Sequence, residues 1–374
     1  MKRALYASTI ALLFLGILSC AGAAQDKIFK KDGSVLPKEG GRPVTVTKET
    51  FSEVEYKLRG LNNPLKIHAK DVDRIEYSRM PDAYRAGLQS LEDQDYEQAV
   101  VDMEEAIRRG KGFHWVEQNA FYRIALCYEK MGDYGKAISA YRTLLTNVPD
   151  TRFFGNAWVG VIQCTFHGQG KTGEKQILKA IQDFERSIKR NRLGKSWQYE
   201  ADYWKLRFRD EKGEDISAEA EKLSQKAKDD NPGVASKAKI LIGHNLLSKD
   251  PVEAKKYFVG VLKSASNAQF GVKAAAYTGL GLSIFKTSSE DNVRTFLKAR
   301  DYFLRAITLG DKYPDLVERE VMVRALFYAA RCFHILKREG GSHSIRYARD
   351  LFKEIIQKYP GTMWAKKAGD ELKK

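Results

Sequence analysis

Gly168-Gln169-Gly170-Lys171-Thr172 carries the residue types of a phosphate-binding loop: glycine amides to cradle phosphates, a lysine to neutralise them and a hydroxyl to reach a metal ion. The complete motif also needs a glycine five residues before Gly170, where the backbone bends around the phosphates, and Thr165 stands there instead. Val159-Gly160-Val161-Ile162-Gln163-Cys164 has the look of a preceding strand, but no parallel-sheet pattern surrounds it, so the segment reads as a connection between helices. The six histidines, at 68, 114, 167, 244, 334 and 343, include no His-x-x-x-His pair and no neighbouring carboxylate pattern suited to zinc. No Gly-x-Ser-x-Gly nucleophile motif occurs. The acidic doublets Glu104-Glu105 and Asp229-Asp230 would point in different directions on a helix. Tryptophans 115, 158, 197, 204 and 364 recur at helical spacings, which fits packing between helices better than a stacking surface for single-stranded nucleic acid. Cys127, Cys164 and Cys332 each lie in an apolar helical context and read as small buried hydrophobes, with a Cys127 to Cys164 disulfide left open. These residues predict no catalysis, cofactor or metal, and neither a nucleic acid nor a small-molecule substrate as partner.

What remains is recognition, and recognition depends on the elements that present the side chains. Residues 24–80 form the first such region, a small β domain. Apolar and polar residues alternate along Val44-Thr45-Val46-Thr47, Val54-Glu55-Tyr56-Lys57-Leu58 and Leu65-Lys66-Ile67-His68, the period of strands with one buried face. Lys31-Asp32-Gly33-Ser34, Gly40-Gly41 and Gly60-Leu61-Asn62-Asn63-Pro64 punctuate them as turns, and Asp71 to Tyr77 closes the segment. The spacing predicts a meander or small barrel of four to five strands, which resembles SH3-like or Sm-like barrels.

From Pro81 onward the apolar period becomes helical. The clearest unit runs from Phe121 through Ile124-Ala125, Tyr128, Gly132, Tyr134 and Ala137 to Tyr141, Leu144 and Pro149. Small residues such as Ala125 and Ala137 let two helices approach closely while aromatics fill the space around them, and Gly132 permits the reversal between them. The preceding unit repeats the pattern through Gly87, Tyr96, Ala99, Met103 and Ala106. Later second helices keep an alanine followed four residues on by phenylalanine, at Ala180 and Phe184, Ala254 and Phe258, Ala299 and Phe303, and Ala348 and Phe352, with Ala220 marking a fainter unit. The gaps between the seven alanines are 38, 43, 40, 34, 45 and 49 residues. The longer ones call for extended helices or loops around residues 168–173, 286–292 and 338–344.

This pattern resembles the tetratricopeptide-repeat (TPR) family. The resemblance implies a mostly α fold, a solenoid of about seven helix pairs over residues 81–372, with the Met363-Trp364 segment as a capping helix. It further implies a protein-binding scaffold whose first helices line a concave groove. In the best unit the groove-facing candidates are Asn119, Tyr122, Arg123 and Lys130, with Tyr84 comparable in the unit before. Asparagine clamps a peptide backbone, tyrosine adds contact area at low entropic cost and arginine pairs with carboxylates.

The chain opens on Met1-Lys2-Arg3, an apolar run from Ala4 to Leu18 and small residues to Ala24, the pattern of a secretory signal over residues 1–23. Ile17-Leu18-Ser19-Cys20 resembles a bacterial lipobox that would lipidate Cys20, while Ala21-Gly22-Ala23 offers an ordinary cleavage site; both readings stand. The ending is similar to that of exported TPR proteins, including lipoproteins of outer-membrane assembly and Tol-Pal coordinators. A periplasmic or outer-membrane-associated scaffold in the cell envelope is therefore expected. The formal charge of +16 is scattered among 48 acidic residues at helical spacing, as on a solvated helix surface. It also permits an alternative function, binding anionic envelope polymers or a membrane surface.

Overall fold

Alternation along residues 27–76 produces six short strands in the computed structural model, which describes residues 25–169, 173–266, 269–289, 292–313 and 316–373. They are β1 (Lys27–Lys30), β2 (Val35–Leu36), β3 (Val44–Glu49), β4 (Glu53–Leu58), β5 (Leu65–His68) and β6 (Val72–Glu76). The expected meander is β3-β4-β5, one antiparallel sheet; β1, β2 and β6 make a second, in the order β2-β1-β6. The strand number exceeds the expected four to five because the Lys31 to Ser34 turn is itself a hairpin, closed by Ser34 N–H donating to Asp32 at 2.8 Å, with Gly33 at φ +84°. Ile28, Val44, Val46, Val54 and Val72 form the core between the sheets. Beside them the buried Asp26 carboxylate accepts from Val46 N–H and Ser78 N–H, each at 2.8 Å.

Fifteen helices are described after this region. They are α1 (Asp82–Glu92), α2 (Tyr96–Arg109), α3 (Val116–Met131), α4 (Tyr134–Asn147), α5 (Phe154–Gln169), α6 (Glu174–Arg190), α7 (Lys195–Glu211), α8 (Ser217–Ala227), α9 (Pro232–Leu246), α10 (Pro251–Ser264), α11 (Phe270–Thr287), α12 (Val293–Lys312), α13 (Arg319–Ile335), α14 (Lys337–Lys358) and α15 (Met363–Leu372). They alternate as first and second members of seven pairs, with α15 as the cap. All seven marker alanines fall on even-numbered helices and are at most 1% exposed. The long gaps come from long helices: α12 has 20 residues and α14 has 22, the latter absorbing residues 338–344. Local signals fix the ends. Gly132, at φ +78°, reverses the chain after α3, and Asn231-Pro232 and Asp250-Pro251 cap and start α9 and α10.

Two compact units emerge: the described residues up to Arg123 with Leu144–Phe154, and Ile124–Thr143 with Gly155 onward. In the first unit the β region is fastened to helical segments. Glu49, whose side chain is fully buried, accepts from Arg152 at 2.9 Å and from Tyr77, and Tyr77 stacks on Trp115 with ring centroids 3.9 Å apart. In the second unit each helix from α6 onward packs on the next. In addition α7 packs on α9, α9 on α11, α11 on α13 and α13 on α15, whereas among the described residues the even-numbered helices have no comparable contact with one another. Odd helices therefore form a continuous inner row and even helices an outer one. The two rows interlock through rings set against glycine backbone: the fully buried Phe258 of α10 lies between Gly243 of α9 and Gly279 of α11.

Candidate functional site

Of the five residues expected to face a groove, four lie in the first unit, where Tyr84 and Arg123 meet directly. Tyr84 is buried edge-on against Trp115, and its hydroxyl accepts from Arg123 Nε at 2.9 Å. Asn119 is buried and donates through Nδ2 to the Trp115 carbonyl at 2.9 Å. Tyr122, half-buried, stacks on Phe153 at 4.3 Å and 6°. Burial pushes the Tyr84 hydroxyl above its ordinary range, against the opposing pull of Arg123. Lys130 belongs to the second unit and is half-buried; its carbonyl accepts from Arg319, which also donates to the Lys358 carbonyl at 3.2 Å. Cys20 lies outside the described residues, as do Gly170, Lys171 and Thr172, while Gly168 falls within α5.

The inner row of the second unit holds a feature that sequence reasoning missed. Two adjoining cavities, of about 330 and 460 Å³, share Asp210, Glu211, His244 and Arg324 and so form one groove along α7, α9, α11 and α13. One end is walled by Tyr203, Ile240, Leu241 and Phe270, the other by Asn245, Tyr328 and Trp364. Three charged pairs stand around it, two of them between helices and the third, Arg324 with Glu320, within α13. Arg207 donates to Glu318 at 3.1 Å, Lys237 to Glu200 at 2.9 Å and Arg324 to Glu320 at 3.0 Å, and the Trp364 indole N–H also reaches Glu320 at 2.9 Å.

Burial and charge act in opposite directions on these groups. Burial opposes ionisation of Glu318, but Arg207, Lys237 and His167 outweigh it and hold the carboxyl at about 2. Burial, reinforced by Arg324 and Arg207, holds His244 down at about 3, and burial with Arg207 holds His167 at about 4, so both imidazoles are neutral at physiological pH. Asp210 is raised by burial, with the Asn245 hydrogen bond working against it.

Two polar atoms in the groove are buried without a hydrogen-bond partner: Asn245 Oδ1 and Arg324 Nε. The Asn245 amide is fixed in orientation, because Nδ2 donates to Asp210 at 2.6 Å and to the Glu214 carbonyl at 3.1 Å. Its oxygen is thus the atom left over. Arg207 and Glu318 are 111 positions apart in the chain, so no sequence window contained the pair. The only hint was the alternation of sign in Glu318-Arg319-Glu320 at a helix start. Among the described residues no three His, Cys, Asp or Glu side chains are placed to hold a metal ion. The three described cysteines are buried and none of them forms a disulfide among the described residues; Cys164 donates to Glu129 at 3.2 Å.

Residues 119–151, spanning most of α3 and all of α4, match the tetratricopeptide-repeat family model. No curated protein sequence matches significantly. Among solved structures, the chain is similar to the C-terminal part of a TPR repeat-containing protein from Cytophaga hutchinsonii, at 18% identity over 77% of this chain and 98% of that one, with a TM-score of 0.34. It is also similar to pilF of Pseudomonas aeruginosa, at 16% identity over 68% and 97%, TM-score 0.33. A third is the complex of the TPR2AB domain of yeast Sti1 with pHSP90, at 16% identity over 77% and 95%, TM-score 0.26.

Proposed function

We propose that this chain is a non-enzymatic adaptor of the bacterial cell envelope that holds an extended segment of a partner protein along α7, α9, α11 and α13. The observation that carries the reading is the presence, in the lining of one groove, of a buried unpaired acceptor at Asn245 Oδ1 and a buried unpaired donor at Arg324 Nε, which a small side-chain shift would bring to a bound segment. A peptide backbone offers the complementary pair, an N–H and a C=O. Leaving such an atom unpaired and dry costs about 1–3 kcal/mol, which a bound segment would relieve. Ile240, Leu241 and Phe270 provide apolar wall for its side chains. The ion pairs Arg207–Glu318, Lys237–Glu200 and Arg324–Glu320 hold the wall in place. Tyr122 and Arg123 of the first unit, with the buried Tyr84 and Asn119 behind them, and separately Lys130 of the second unit, are further candidate partner contacts. Export, and lipid attachment at Cys20, rest on the signal pattern at the start of the chain.

The test places a photo-crosslinking residue at Ser248, an exposed position on the groove wall, or at Val252, which is 61% exposed on the outer helix α10. Crosslinking is done in the native envelope and read by mass spectrometry. A protein captured from position 248, absent from position 252 and lost in Asn245→Leu, is the expected result. Equal capture from both positions, or capture unaffected by Asn245→Leu, refutes the groove as the site. Capture that collapses on moderate addition of salt would favour the anionic-polymer alternative.

A further inference from the structure

The segment from Glu174 to Lys195, α6 and the turn after it, carries seven cations and three acids. Each acid is already paired: Glu174 with Lys212 at 2.7 Å, Asp183 with Arg186, and Glu185 with Lys205. Lys175, Lys179, Lys189, Arg190, Arg192 and Lys195 are all exposed, and among the described residues no ion pair involves them. At about 100° per residue, Lys175, Leu178, Lys179, Gln182, Arg186, Lys189 and Arg190 fall within an arc of about 120° of the helix surface. The opposite face, with Ile177, Ala180, Ile181, Phe184 and Ile188, is buried. The cationic stripe from Lys175 to Arg190 is about 22 Å long. It lies on an even-numbered helix, in the outer row of the second unit.

A second observation marks the same place. Arg192 sits at φ +51°, with its N–H toward the Lys189 carbonyl and that of Leu193 on the Ile188 carbonyl, the reversal that ends the helix. The corresponding positions after α3 and α7 are Gly132 and Gly213, and after α1 Gln94 at φ +60°. Glycine adopts this left-handed conformation freely and arginine resists it, so a cation stands where local backbone preference favours glycine.

We infer that the outward face of α6 and its following turn form a docking surface for an anionic lipid bilayer. Four unneutralised cations along the stripe, with Arg192 and Lys195 exposed in the turn after it, match a diffuse negative surface, and long lysine and arginine stems reach headgroup phosphates from a helix lying flat. Leu178, 39% exposed within the stripe, supplies an aliphatic contact at headgroup level. The stripe itself, Lys175 to Arg190, carries no aromatic ring on its exposed side, so a nucleic acid would find no stacking partner there. This inference does not depend on the groove reading, since the groove lies on the inner row.

Sedimentation of the full chain with vesicles tests it. Binding is expected to vesicles containing phosphatidylglycerol and not to phosphatidylcholine alone, a comparison that also removes any contribution of a lipid anchor. At about fivefold per cation, the variant K179Q/K189Q/R190Q should lose about 100-fold in partition coefficient while keeping its helical circular dichroism. Arg192→Gly should weaken binding about fivefold and at the same time raise the melting temperature, whereas a structural role alone would change only the latter. Equal binding to both vesicle types, an unaffected triple variant, or stronger binding to soluble polyphosphate than to the vesicles at equal charge would each overturn the assignment.

Discussion

Replacing Gly279 by alanine should destabilise the second unit, although alanine is the better helix former by about 1 kcal/mol. A Cβ built there lies 2.3 Å from Phe258 Cε1 and 2.4 Å from Cζ, far inside contact distance. The ring has no room to retreat, because Gly243 closes its other side, where a Cβ would lie 2.7 Å away, and Phe258 is fully buried. Overpacking of this kind costs about 1–3 kcal/mol. For so deep an overlap the upper half of that range applies, which leaves a net loss of about 1–2 kcal/mol after the propensity gain. Gly260, in the same helix as Phe258, has nothing within 4 Å of its built Cβ, so Gly260→Ala should instead stabilise by about 0.5–1 kcal/mol. Urea unfolding followed by far-ultraviolet circular dichroism compares the midpoints, and Phe258→Leu combined with Gly279→Ala should recover part of the loss through coupling at the shared contact. If Gly279→Ala stabilises as Gly260→Ala does, the interlocking of rows through ring-on-glycine contacts is wrong.

Two further outcomes follow from the charged interior. Because the folded Glu318 carboxyl titrates at about 2, below the unfolded value of about 4.3, its stabilisation is complete above pH 4.3 and is lost as pH falls through 2. Acid unfolding of Glu318→Gln should therefore show a shallower dependence on pH across that interval, and an unchanged slope would show that Arg207 does not hold the carboxylate. In the first unit, Arg152→Ala leaves the buried Glu49 without its cation and should cost about 3 kcal/mol, with Glu49→Gln added to it restoring part of the loss in thermal unfolding; no restoration would mean that the pair is not coupled.

Much of the architecture was legible in local spacing. Ala99, Ala137, Ala180, Ala220, Ala254, Ala299 and Ala348 marked the second helix of every pair, because close helix approach demands a small side chain at one recurring place. The change from period two to helical period near Pro81 matches the passage from β6 to α1. The strands at Lys27–Lys30 and Val35–Leu36 were harder to see: each is short, and they read as flanks of a turn rather than as elements. The groove was not legible at all. Its walls come from helices separated by more than a hundred residues, and its polar atoms matter because their neighbours leave them without partners.

By itself the sequence determined the repeat of helix pairs, the β region before it, and the likeness of residues around Phe121 to Pro149 to a tetratricopeptide unit, since each of these depends on residues within one or two helix lengths. Only the tertiary structure decided which helices form the inner row, that Phe258 is clasped between two glycine backbones, and that Arg207 finds Glu318 while Asn245 Oδ1 finds nothing. The physical reason is that spacing along the chain dictates which face of a helix is buried, whereas the pairing or orphaning of a polar atom depends on what the folded chain brings from elsewhere to that face.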